Sequence, residues 1–118
     1  MSDTEAALID ERARTTALIE SLSARLESVI EATADSASDD EHDPEGTTLA
    51  VERGQLVAQL ERSRVRLEEI DAALERLGRG VYGRCETCGD EIDAERLEVL
   101  PAARQCVKCA ARNPSGRW

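Results

Sequence analysis

The sequence predicts an all-α dominated fold, a long antiparallel helical hairpin (coiled coil) followed by a small C-terminal module built on four cysteines. Two stretches carry apolar residues at alternating steps of three and four, the signature of a helix with one buried stripe. Further on, Cys85 and Cys88 form one C-x-x-C and Cys106 and Cys109 another, with 17 residues between the pairs. Phe is absent, and Tyr82 and Trp118 are the only large aromatics in 118 residues. A thick core is therefore not expected, and a chain of this kind relies on regular helix packing or a staple such as a metal.

The first helix begins near residue 3. Ser2-Asp-Thr-Glu5 has the form of a capping box, in which Ser2 accepts from a free backbone N–H and Glu5 reaches back. Leu8, Thr15, Ile19, Leu22, Leu26 and Val29 then fall on one stripe, with Arg12 filling its gap and Leu18 and Ile30 flanking it. The pattern fades in Ala34-Asp-Ser-Ala-Ser-Asp-Asp-Glu-His-Asp-Pro-Glu-Gly46, a run of small and acidic residues that reads as a turn. Asp43-Pro44 suits an N-cap and first helical position, where the missing proline N–H costs nothing.

The second helix has the stronger seam: Leu56, Leu60, Ser63, Leu67, Ile70, Leu74 and Leu77 recur at four, three, four, three, four, three. Such a stripe requires a partner. Two helices of about 32 residues, roughly 48 Å each, joined by a short linker fit an antiparallel hairpin. Leu8 then lies near Leu74, and Leu22 near Leu60. Gly54 falls off the seam and softens the helix locally. Gly78 and Gly80 close the helix, because glycine accepts the left-handed backbone that ends it. The expected organisation is a hairpin over 1–79 with an acidic tip at about 35–47, then a finger and short tail over 80–118.

The spacing of the cysteines points to zinc. Two thiolates three residues apart curl around one ion, and two such knuckles complete the tetrahedral sulfur shell that Zn²⁺ accepts. Gly89 lets the first knuckle turn. Cys85, Cys88, Cys106 and Cys109 are thus the expected ligands of one zinc. Four protein ligands leave no position for water or substrate, so the ion is structural and no catalytic residues are expected. Ile92, Leu97 and Leu100 are expected to pack beside it, Tyr82 over the finger or the hairpin base, and Arg96 to be solvated or salt-bridged.

Charge narrows the partners. The net charge of −10 lies wholly in residues 1–50, where 13 acids face Arg12, Arg14 and Arg25. Autonomous sequence-specific DNA binding needs a basic face, which this chain lacks, and a basic protein surface is the better partner. No cationic start leads into an apolar stretch, and no segment approaches a membrane span. A cytoplasmic protein is expected, and in that reducing compartment paired cysteines favour metal thiolates over disulfides. Arg62, Arg64 and Arg66 alternate around their helix, where Glu61, Glu68 and Glu69 can pair with them as a solvated face. The turn acids do not make an EF-hand, since its required glycine and final glutamate fall on Pro44 and Ala50. His42 reads as a solvated turn residue.

The run Gly80-Val-Tyr82-Gly83-Arg-Cys85-Glu-Thr-Cys88-Gly89-Asp-Glu-Ile92, with Arg96-Leu97, Pro101 and Cys106-Val-Lys-Cys109, closely resembles the zinc finger of the DksA/TraR family of bacterial transcription regulators. That resemblance covers residues 78–110 in detail. It implies a chain that binds RNA polymerase, inserts its hairpin into the secondary channel and modulates initiation without reading promoter sequence. Acids at the hairpin tip then act near the catalytic Mg²⁺, a role that falls here to Asp39, Asp40, Glu41, Asp43 and Glu45. The family's tip pattern is D-x-x-D-x-A. Asp40-x-x-Asp43 keeps both acids but sets Glu45 at the alanine place, whereas starting from Asp43 sets Gly46 and Thr48 at the second acid and the alanine. Members often act with ppGpp. The short segment after Cys109, where longer members continue as a helix, argues against that ligand and leaves Lys108 and Arg112 as its candidate contacts, with Arg112, Arg117 and Trp118 as a substitute polymerase contact. A monomer is expected. Two other functions fit the residues: a zinc-stapled coiled-coil adaptor whose seam associates between chains, and a thiol redox switch.

Overall fold

The computed structural model describes residues 2–36 and 44–112. Among them are four helices: α1 (Ser2–Ser36), α2 (Pro44–Gly78), α3 (Ala94–Val99) and α4 (Val107–Arg112). The fold is the expected one, with two long antiparallel helices ahead of a four-cysteine cluster. α1 and α2 have 35 residues each, slightly longer than the periodicity suggests, because α1 continues through Ala34 to Ser36. α2 starts at Pro44, where a proline is tolerated. Asp43 and His42 lie outside the described residues, as do Asp39, Asp40 and Glu41. No helix among the described residues is long and apolar enough to cross a membrane.

The chain forms two compact units, residues 14–66 and residues 1–13 together with 67–118. Within 14–66 the core is the predicted seam. Leu22 and Val29 of α1 cluster with Leu56 and Leu60 of α2, and Ile19, Leu26 and Leu49 pack against them. Each such leucine withdrawn from water contributes about 1.5–3 kcal/mol. Thr15 and Ser63, the polar members of the two stripes, are buried as well. Leu18 and Ile30, which flank the α1 stripe, remain exposed. Arg25 and Glu52 pair at 3.8 Å on the surface, an interaction worth little in water.

The other unit packs Leu8 against Ile70, Ala73, Leu77 and Ala102, with Leu74 and Tyr82 at the edge. Leu8, Ile70 and Ala73 are fully buried. Arg12, the charged residue in the α1 stripe, turns outward and meets Asp71 of α2 at 2.6 Å.

The end of α2 explains how the chain leaves the helix. The N–H of Val81 bonds the carbonyl of Arg76 at 3.0 Å and the N–H of Gly80 bonds that of Leu77 at 3.2 Å, the paired bonds of a Schellman motif. Gly80 holds the left-handed φ of +77° that this closure needs. Gly78 is the last helical residue and has an ordinary φ.

Candidate metal centre

The first knuckle is a narrow loop. Ile92 N–H bonds the Gly83 carbonyl at 2.7 Å, Cys85 N–H bonds Asp90 at 2.8 Å, and Arg84 pairs with Glu91 in a single antiparallel bridge. Gly89 N–H then returns to the Cys85 carbonyl at 2.9 Å, with Gly89 at φ +80°. This turn folds Cys88 back toward Cys85. The second knuckle is the start of α4, where Ala110 N–H bonds the Cys106 carbonyl at 2.9 Å and one helical turn aligns Cys106 with Cys109.

These two loops bring the four Sγ atoms within 4.8 Å of one another. A tetrahedron with metal–sulfur bonds of about 2.3 Å has edges of about 3.8 Å, and Cys88 Sγ lies 3.8 Å from Cys106 Sγ. All four cysteines are unbridged. Cys85 and Cys109 are buried, Cys106 is half-buried and Cys88 is exposed. Ile92 packs on Cys85 and Cys109, and Leu97 and Cys106 close the cluster. Leu100 is half-buried and lies outside it.

The thiols differ electrostatically. Burial pushes Cys85 up, but the backbone N–H groups of Cys88, Cys106 and Thr87 outweigh it and bring the thiol down to about 6. Burial and the neighbouring thiols push Cys109 up to about 12. Cys88 receives the backbone N–H of Asp90, yet desolvation and its sulfur neighbours leave it raised. A set in which one sulfur is already anionic and another holds its proton until a cation arrives suits a thiophilic metal.

Residues 80–113 match the family model for the prokaryotic dksA/traR C4-type zinc finger. This segment is similar to a DksA/TraR-type finger, the family its residues resemble. Its four sulfurs hold one structural zinc, as the finger type and their geometry together require. The chain is 40% identical over 74 residues to general stress protein 16O of Bacillus subtilis, a match covering 61% of this chain and 44% of that protein. It is 39% identical over 49 residues to the RNA polymerase-binding transcription factor DksA of Haemophilus influenzae, covering 42% of this chain and 34% of that one. The chain thus spans less than half the length of either curated relative. Among solved structures, transcription factor DksA2 from Pseudomonas aeruginosa superposes with a TM-score of 0.77 at 27% identity, covering 97% of this chain and 82% of that chain.

Around the DksA/TraR-type finger, side chains do more than the sequence suggests. Tyr82 takes the second of its expected places: its ring packs on the Leu8–Leu77 cluster and its hydroxyl donates to the Pro101 carbonyl at 2.8 Å. Arg96 is not a solvent-facing charge, because it is half-buried and its Nε donates to the Gln105 carbonyl at 3.0 Å, just before Cys106. Glu69 also departs from the expected solvated face. It is 1% exposed and lies 3.4 Å from Arg104, beside buried Arg76. Arg76 meets Glu86, inside the first knuckle, at 3.6 Å and donates to the Ala103 carbonyl at 3.4 Å. Burial, and then Arg104, lower the Arg76 pKa, while Glu86 and Glu69 oppose them. One signal for this cluster is present in the sequence: Glu69, Ala73 and Arg76 are spaced four and three apart, a second stripe on the side of the seam.

The remaining candidates are less constrained. Lys108 and Arg112 lie exposed on α4. Glu45 falls within the first turn of α2, and Arg117 and Trp118 lie outside the described residues.

Proposed function

We propose that this chain is a transcription regulator that binds RNA polymerase, enters its secondary channel with the hairpin of residues 1–79, and catalyses no reaction. The finger of residues 80–118 fixes the base of that hairpin. The single observation that carries this reading is the likeness to transcription factor DksA2 over 97% of the chain, finger and long helices together. The acids Asp39, Asp40, Glu41, Asp43 and Glu45 place five carboxylates in seven residues, a density of charge that favours a cationic or metal-bearing partner. They act at the tip, near the polymerase's catalytic metal, and alter the lifetime of initiation complexes. The regulator works as a cytoplasmic monomer.

In vitro transcription with the cognate polymerase tests this proposal. The intact chain changes initiation, and an Asp43→Asn variant binds polymerase with unchanged affinity while losing that effect. Binding that disappears in competition with a known secondary-channel ligand supports the route, and undiminished binding in that competition contradicts it. The adaptor alternative fares less well, because the seam residues Leu22, Val29, Leu56 and Leu60 are already buried within the chain.

One observation favours a second function: Cys88 is the exposed member of the sulfur set, as a thiol redox switch needs. Mild peroxide then expels the metal and alters transcription, and full metal retention under peroxide removes this alternative.

A further inference from the structure

Four charged side chains meet between α2 and the two knuckles. Glu69 and Arg76 come from the helix, Glu86 from between Cys85 and Cys88, and Arg104 from two residues before Cys106. Arg104 bridges Glu69 at 3.4 Å and Glu86 at 3.7 Å, and Arg76 reaches Glu86 at 3.6 Å. The backbone adds a fourth tie, since Glu86 N–H bonds the Arg104 carbonyl at 2.9 Å. Two of the four are nearly inaccessible, with side-chain exposures of 1% for Glu69 and 5% for Arg76.

Burying charge is costly unless partners are held in place, so such a cluster is weak evidence for stability and better evidence for a fixed arrangement. Here the arrangement spans every element that carries a cysteine pair. Arg76 contacts the first knuckle through Glu86 and the approach to the second through the Ala103 carbonyl. Glu69 holds Arg104, whose carbonyl anchors the first knuckle in turn.

We propose that Arg76 and Glu69 are positioning residues for the zinc: they hold the two knuckles at the separation the metal needs, and zinc affinity is thereby linked to the order of the C-terminal turns of α2. Groups that orient metal ligands without touching the ion typically change metal affinity by about 10- to 100-fold when removed. The linkage is reciprocal, because whatever the helix contributes to metal binding the metal contributes to the helix. Stripping the ion loosens the knuckles that hold Glu86 and Arg104 against buried Arg76 and Glu69. The last turns of α2 then open more often.

Two measurements test the linkage on the full zinc-loaded chain. The first is the rate of zinc transfer to a chromogenic chelator. Arg76→Met accelerates it by about 10- to 100-fold, Arg76→Lys restores part of the loss, and Arg79→Met, which removes a surface pair with Glu75, leaves it unchanged. Glu86→Ala, at a residue 47% exposed, accelerates transfer without opening the core, and it decides the matter alone if Arg76→Met does not fold. The second is amide hydrogen exchange across residues 70–78, which speeds up on metal removal in the unmodified chain and responds less in Glu86→Ala. Transfer rates within twofold of the unmodified chain for every folded variant overturn the proposal, as does exchange in 70–78 that ignores the metal.

Discussion

The two compact units of this molecule are held by different forces. Residues 14–66 rely on a repeated stripe of leucines, in which Leu22, Val29, Leu56 and Leu60 exclude water by shape alone. The unit of residues 1–13 and 67–118 has an apolar cluster that includes two alanines, Ala73 and Ala102, and adds four sulfurs and four interlocked charges. A repeat gives many similar contacts that each contribute a little, whereas a metal concentrates its effect in one place. Loss of one contact should therefore weaken the first unit and dismantle the second.

Metal removal is the largest expected effect. Structural zinc in small fingers contributes apparent binding energies of about 10–16 kcal/mol near neutral pH. A strong chelator, or Cys109→Ser, is expected to erase the dispersed amide NMR resonances of residues 80–112 while those of 14–66 persist. Simultaneous loss of both sets would mean that the units are not independent. Acid has the same result by proton competition. Metal entry takes a proton from Cys109, which is held up to about 12, whereas Cys85, at about 6, is already ionised at neutral pH. The zinc-dependent stability is thus present at neutral pH and is lost as pH falls through the range where protons displace the metal from the thiolates. Calorimetric titration in buffers of different ionisation enthalpy checks this through the number of protons released per zinc.

Next in size is the seam. Leu60→Ala removes a side chain only 3% exposed and should cost about 2–5 kcal/mol in chemical denaturation, with zinc transfer unchanged. Gly80→Ala forces a side chain into φ +77° at the end of α2, although open space surrounds the position. The loss there is purely conformational, about 1 kcal/mol, and appears as a lower melting temperature of the second unit. The smallest change is expected at Leu18, which is 49% exposed beside the seam: Leu18→Ser should stay within about 0.5 kcal/mol of the unmodified chain.

The same contrast decides what can be read from the residues alone. The leucine stripes were legible because period is a property of the chain itself, and Leu56, Leu60, Ile70 and Leu77 are buried where the spacing puts them. The sulfur set was legible because each C-x-x-C closes locally around an ion. Glu69 and Arg76 showed only their four-and-three spacing with Ala73, since a charged residue on a helix looks like a solvated one until its partner arrives from elsewhere in the chain. Arg104, Glu86 and the Ala103 carbonyl come from loops whose paths only the folded finger defines. Arg96 misled for a related reason: its acceptor is a backbone carbonyl, which carries no signature in the side-chain alphabet.

Leu8 is fully enclosed, and its neighbours include Ala102 at the far end of the described chain. During synthesis this leucine emerges well ahead of Ile70, Ala73, Leu77 and Ala102 and must wait for them before it finds shelter. Closing so long a loop is slow compared with zipping up neighbouring turns. Trimming the first dozen residues should accordingly strip cover from the metal-bearing end, although none of them supplies a ligand.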